Sequence, residues 1–300
     1  MSRYILYRIA QWLSIGLSPT TCLRLAERLA DRHCQRAHQD RAAVQSNLAA
    51  ILRHTVPEDS PMICEVFRHF ARYLVEFLSA HHRYSTFTIE GTDALVRTMQ
   101  TSQGGIVLSA HIGNWELGGI AIHRLGFPFT VVVLPHRDSR VNQFFDQQRL
   151  RCEVGVIPLG PHAAARCLRL LRSHQWLGIL GDREFGQEGL AVPFFGRSSQ
   201  VPRGPAILSL RTRAPVIPVF FIREGDWRFR FYVEPPIYPP NGPWQEAHVK
   251  HLTQAYVHVI EQYIRQFPTQ WLMFQPIPET PQAALAQHGR RSEPLTLTTS

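Results

Sequence analysis

The sequence predicts an α/β fold, a central mostly parallel sheet flanked by helices, with a helical N-terminal region before it. Three observations carry this. From Gly104 onward, short apolar runs alternate with helical segments, the pattern of a parallel sheet with crossover helices. The runs are continuous rather than alternating, as strands buried on both faces require. Before Gly104, apolar residues recur at helical spacing.

Residues 4–17 are apolar but interrupted by Arg8 and Gln11. They fall short of the ~20 apolar residues of a spanning helix, and no small-residue cleavage pattern closes them as a signal peptide. Tyr4, Tyr7 and Trp12 with Arg3 and Arg8 suit a helix lying at a membrane interface; an amphipathic helix packed on the core is the other reading. After Ser18-Pro19, Thr20 or Thr21 caps a helix to about His38. A second spans about Arg41 to Leu52, and Pro57 to Pro61 breaks the chain. A third, Ile63 to Ala80, places Val66, Phe67, Phe70, Leu74, Phe77 and Leu78 on one face. Phe87–Glu90 begins β material. The expected strands are Ile106–Leu108, Phe129–Leu134, Val154–Ile157, Leu177–Leu180, Val216–Phe221 and Phe229–Val233. Helices are expected near Trp115–Leu125, Asn142–Cys152, Ala163–Ser173, after Gly204, and over Trp244–Gln266. From Pro276 to Ser300 large apolar residues become rare, and a disordered tail is expected. The organisation is therefore a helical region over 1–85, an α/β domain over 86–275 and a tail over 276–300.

Thirty-two basic and 23 acidic residues give a net charge of +9, which favours anionic partners. No basic–aromatic ladder or zinc-finger spacing points to nucleic acid. The five cysteines are scattered, without a C-x-x-C pair, so neither a metal site nor a disulfide framework is indicated and a reducing compartment fits best. No cofactor is implied.

The chemistry concentrates in Gly104–Gly119 (GGIVLSAHIGNWELGG). The strand delivers His111 at its carboxyl end, where open α/β sheets bind ligands. Gly113-Asn114 turns the chain, and Glu116 sits in the first turn of the next helix. Five residues apart, His111 and Glu116 would lie roughly 140° apart on one helix, but a strand–turn–helix corner folds the carboxylate back onto the imidazole. That is a general-base arrangement; a surface His beside a Glu that suits the helix dipole is the plainer reading. Asp182, Arg183 and Glu184 follow the strand Leu177–Leu180, at another strand end.

The His-x4-Glu pattern resembles the motif of glycerolipid-type acyltransferases. The chain to Pro276 is similar to the late acyltransferases of bacterial lipid A biosynthesis and to lysophospholipid-acyltransferase-like proteins. Besides His111–Glu116, the likeness rests on Gly181–Gly186 (GDREFG), Val192–Arg197 (VPFFGR), Val201–Pro205 (VPRGP), Ala214–Pro218 (APVIP) and Pro268–Trp271 (PTQW). It implies an O-acyltransferase that takes a fatty acyl group from acyl carrier protein or coenzyme A to a hydroxyl of a membrane lipid. His111 and Glu116 would be catalytic. Asn114, Arg149, Asp182, Arg183, Glu184, Phe195, Gly196 and Arg203 would bind substrate, with Arg149 or Arg183 gripping phosphate or an oxyanion. It also implies peripheral attachment to the cytoplasmic face of the inner membrane. Two departures stand out. Val201 replaces a more usual Thr, and the basic cluster that follows Gln-Trp-x-Trp in lipid A enzymes is missing after Gln270-Trp-Leu-Met. The second points to an acceptor other than lipid A: a lysophospholipid, glycolipid or aminolipid. A thioester or lipid hydrolase, or a non-catalytic lipid-binding relative, are the rival classes.

Overall fold

A computed structural model describes residues 3–91, 104–185, 188–242 and 244–277. In chain order the elements are α1 (Arg3–Gly16), α2 (Pro19–Arg36), α3 (His38–Leu52), α4 (Pro61–Ser79), β1 (Thr86–Glu90), β2 (Gly105–Ser109), α5 (Trp115–Arg124), β3 (Phe129–Val133), α6 (Ser139–Arg151), β4 (Gly155–Pro158), α7 (Ala163–Arg172) and β5 (Trp176–Leu180). Then come β6 (Leu190–Phe194), β7 (Arg197–Val201), α8 (Gly204–Thr212), β8 (Val216–Gly225), β9 (Arg228–Val233) and α9 (Glu246–Gln266).

The expected α/β class is the one observed. Seven strands form one sheet in the order β1-β9-β8-β2-β5-β3-β4. Its neighbours pair in parallel except β8 and β9. From β2 the chain moves outward to β3 and β4, then returns through β5 to β8. Right-handed crossovers put the outward helices on one face and the returning ones on the other. Accordingly Leu117 and Ile120 of α5 and Phe144 and Phe145 of α6 share a core with Val107 and Phe129. Cys167 of α7, Leu208 of α8 and Ile260 of α9 pack with Leu108 and Leu177 on the opposite face. The reversal of direction falls between β2 and β5, the position where open α/β sheets bind ligands.

Helix α4 joins the N-terminal helices to the sheet, with Phe77 and Leu78 fully buried in the α5/α6-side core. Burying such a side chain contributes roughly 1.5–3 kcal/mol. The stretch Pro193–Arg197 is the tip of the β6–β7 hairpin. Its turn residues Phe195 (φ 51°) and Gly196 (φ 79°) are both left-handed, as a tight two-residue turn demands. Cys34 and Cys64, expected as free thiols, are joined by a disulfide between α2 and α4. Thirty residues separate them, and only the side-by-side packing of two helices brings their Cα atoms to 5.7 Å. Of the tail expected over 276–300, residues 278–300 lie outside the described residues. Ile277 is buried, its N–H donating to Asn47 Oδ1 at 3.0 Å.

Candidate active site

The register of β2 on β5 pairs Ser109 with Leu180. Two residues beyond that pair stand His111 and Asp182, facing each other across the strand ends. Asp182 Oδ1 accepts from His111 Nδ1 at 2.9 Å, and Oδ2 accepts from the His111 backbone N–H at 3.1 Å and from Trp271 Nε1 at 2.8 Å. Burial opposes ionisation of Asp182. The adjoining His111, the hydrogen bonds, Arg183 and the Trp271 indole outweigh it and hold the carboxyl well below the usual carboxylate range. An ionised Asp182 accepts the Nδ1 proton, which leaves the lone pair on Nε2. Trp115 meets the imidazole edge-on at 4.9 Å between centroids.

The corner that presents His111 is tightly fixed. Gly113 has φ 62°, and a Cβ there would stand 2.1 Å from the Phe221 carbonyl oxygen, so only glycine fits. Asn114 caps α5, its Oδ1 accepting from the Leu117 N–H at 3.2 Å. The segment after α9 straps this corner down. The Gly113 N–H donates to the Gln270 carbonyl at 3.0 Å, and the Leu272 N–H to the His111 carbonyl at 2.7 Å.

Beneath lies a buried ion pair between Glu76 of α4 and Arg223 of β8. Asn114 Nδ2 donates to Glu76 Oε2 at 2.8 Å. Gln270 exchanges two hydrogen bonds with the Arg223 backbone at 2.9 and 3.0 Å.

The carboxylate that meets His111 is therefore Asp182 and not Glu116, the acid expected there. The turn at Gly113 aims Glu116 elsewhere, and it takes both Nε and Nη2 of Arg149, the latter at 2.6 Å. Arg149 Nη1 goes to Asp146 at 3.2 Å. Arg149, expected to grip phosphate, meets the carboxylates of Glu116 and Asp146 through Nε, Nη1 and Nη2 in the cavity wall. Asn114 is wholly buried as a cap, Phe195 packs against Trp271 from the hairpin turn, and Gly196 beside it is exposed. None of these three is among the residues of the cavity wall.

A cavity of about 950 Å³ opens at His111, and Glu116, Arg149, Arg183, Glu184 and Arg203 also line it. Arg183 Nη2 donates to the Leu272 carbonyl, while its buried Nε has no protein partner. Burial pushes the Arg183 pKa down, against the pull of Asp182. Arg203 pairs with Glu246 at 2.9 Å. Among the described residues, no group of three or more His, Cys, Asp or Glu side chains is arranged to hold a metal ion.

Trp271, Tyr73 and the Glu76–Arg223 pair carry no role in the sequence reading. Trp271 stood out only as part of a shared motif. Tyr73, stacked on Trp115 at 4.3 Å in the cavity wall, is hidden among the other aromatics of α4. The single usable signal was an acid two residues past a strand end, and using it needs the β2–β5 register.

A histidine held by a buried carboxylate at the switch point of a mostly parallel sheet, opening on a large apolar cavity, defines a transferase or hydrolase of lipid-like substrates. Residues 1–277 match the family of bacterial lipid A biosynthesis acyltransferases, and the chain belongs to it. It is 27% identical over 282 residues to a phosphatidylinositol mannoside acyltransferase of Mycobacterium tuberculosis, covering 89% of this chain and 86% of that protein. It is 25% identical over 230 residues to the lipid A biosynthesis palmitoleoyltransferase of Escherichia coli, covering 73% and 72%. The 1-acyl-sn-glycerophosphate acyltransferase of Thermotoga maritima aligns with a TM-score of 0.40 at 12% identity, over 85% of this chain and 99% of that one. The protein is an O-acyltransferase acting on a lipid or glycolipid acceptor.

Proposed function

We propose that His111 is the general base of acyl transfer from a thioester, carried by acyl carrier protein or coenzyme A, to a hydroxyl of a membrane glycolipid or related lipid. The observation that carries this reading is the His111–Asp182 pair with Nε2 turned to the cavity. Nε2 takes the acceptor's hydroxyl proton as the oxygen attacks the thioester carbonyl. The C–O bond forms, the C–S bond breaks, and the proton passes from the imidazolium to the departing thiolate. Asp182 holds the tautomer and stabilises the imidazolium. Arg183, with Nε unpaired, offers positive charge to the developing oxyanion.

The donated chain has an apolar chamber between α5 and the sheet, walled by the buried residues Val107, Gly119, Ile122, Phe129, Gly178 and Phe231. It runs from the Ser109–Leu180 level to the Phe129–Trp176 level. Four strand residues at 3.3 Å each make that roughly 13 Å. The test is transfer of a labelled acyl group from the thioester to candidate lipids with and without acceptor. New ester on a lipid hydroxyl supports the reading; label released only as free fatty acid would make the protein a hydrolase.

For attachment we propose α1. No described helix is long and apolar enough to cross a membrane. Tyr4 and Tyr7 pack inward on Phe144 and Phe145, while Ile5, Leu6, Ile9 and Trp12 are between 43% and 74% exposed. Such a face with flanking arginines suits a peripheral, salt-sensitive hold on an anionic leaflet, the cytoplasmic face of the inner membrane in this reading. Changing Ile5, Leu6, Ile9 and Trp12 together to Ser should weaken binding to anionic phospholipid vesicles at least about tenfold. Unchanged co-sedimentation at matched salt would end the anchor proposal.

A further inference from the structure

The Cys34–Cys64 disulfide lies where three helix ends meet: the last turn of α2, the first turn of α3 and the first turn of α4. Its two sulfurs are not equivalent. Cys34 is fully buried and Cys64 only half-buried, so a molecule approaching from solvent reaches Cys64 first. Arg41 of α3 stands against both, its Nη1 3.3 Å from Cys34 Sγ and 3.6 Å from Cys64 Sγ. Its Nη2 donates to the Glu58 carbonyl at 2.6 Å. None of these partners carries a negative charge to meet the guanidinium.

A neutral disulfide gains little from a cation at that distance. A thiolate gains much more, since a neighbouring arginine or a helix N-terminus lowers a thiol pKa from ~8.5 to about 3.5–7.5. Cys34 has the nearer contact with Arg41, and Cys64 has both Arg41 and the first turn of α4. The other three cysteines are placed differently. Cys22, Cys152 and Cys167 are buried, and burial pushes each thiol up.

We propose that Cys34–Cys64 is a reversible thiol–disulfide exchange site, entered at Cys64, with Arg41 stabilising Cys34 as the departing thiolate. A small thiol attacks as its thiolate. The incoming sulfur bonds to Cys64 Sγ, the Cys34–Cys64 bond breaks, and the electron pair goes to Cys34 Sγ beside Arg41. A second small thiol then displaces Cys64, leaving two cysteine thiols and one small-molecule disulfide. The protons given up by the two attacking thiols end on the two cysteines. The reverse sequence, with the small-molecule disulfide as oxidant, closes the pair. The link ties α2 to the helix that supplies Phe70, Tyr73 and Leu74 to the cavity wall and Glu76 beneath the catalytic corner. Opening it releases a cross-link across 30 residues, so the state of the pair sets how firmly α4 is held.

The experiment equilibrates the full chain with glutathione and its disulfide at set ratios, without denaturant. Samples are quenched in acid, alkylated and read by peptide mass spectrometry. The same ratio of open to closed protein should be reached from either side. Early samples should carry glutathione on Cys64 and not on Cys34. Arg41→Met should slow opening at least about threefold, because the departing thiol becomes more basic, while Arg41→Lys should keep most of the rate. The direction separates this role from packing, since a merely loosened helix end would expose the sulfurs and speed opening. Opening should lower the melting temperature by on the order of 5–10 °C. None of these readouts depends on acyl transfer. Exchange only after unfolding, glutathione first on Cys34, or opening in Arg41→Met at or above the wild-type rate would overturn the proposal. A melting temperature unmoved by opening would overturn the hold on α4.

Discussion

Replacing His111 by Ala is expected to cut the rate of acyl transfer by roughly 10²–10⁴-fold, the usual worth of a positioned general base. The fold should survive, because the imidazole lines the cavity and the corner is held through the backbone of His111, Gly113 and Asn114. Asp182→Asn should lower kcat by a comparable factor. It removes the ionised partner that sets the Nδ1 tautomer, and leaves the Trp271 indole facing an amide. Since Asp182 stays ionised far into acid, this carboxylate does not set the acid limb of the rate profile. Glu116→Gln should act differently. It frees Arg149 and reshapes the cavity wall, so its effect should fall on KM, with the shape of the pH profile kept. Circular dichroism and a pH series of kcat on the three variants decide the matter. A folded His111→Ala protein with near-normal turnover would sink the base assignment. A pH profile changed by Glu116→Gln and untouched by Asp182→Asn would return the orienting role to Glu116.

The second large effect concerns stability. Glu76→Gln or Arg223→Met leaves one buried charge without its partner, which costs about 3–5 kcal/mol. Against the 5–15 kcal/mol of a typical domain, that lowers the melting temperature by on the order of 10 °C. Removing both charges in Glu76→Leu/Arg223→Met should recover much of the loss, since no buried charge remains. The recovery should be incomplete, because Asn114 Nδ2 loses its Glu76 acceptor and keeps only the Tyr73 carbonyl at 3.4 Å. Single variants within about 1 kcal/mol of wild type in urea titrations would mean the pair does not bear on stability.

The strand-end positions of His111 and Asp182 were legible because buried parallel strands announce themselves as continuous apolar runs, and ligand chemistry gathers where they stop. Glu116 turns away from His111 to Arg149 for a local reason. Spacing alone permits the carboxylate to fold back. The direction it takes is set by Gly113, whose left-handed backbone is dictated by the neighbouring Phe221 carbonyl.

Composition and periodicity by themselves determined the α/β class, the helical first third, and the two strand ends where a titratable pair stands. These are local properties, written in hydrophobic spacing and turn residues. Only the tertiary structure decided which acid meets His111, because that follows from the register of β2 on β5, strands whose paired residues lie 71 positions apart. The same holds for the Arg149–Glu116 pair, the Glu76–Arg223 pair 147 residues apart, and the Cys34–Cys64 link. Each is a meeting of side chains whose sequence neighbours say nothing of one another, brought together by packing that no local pattern encodes.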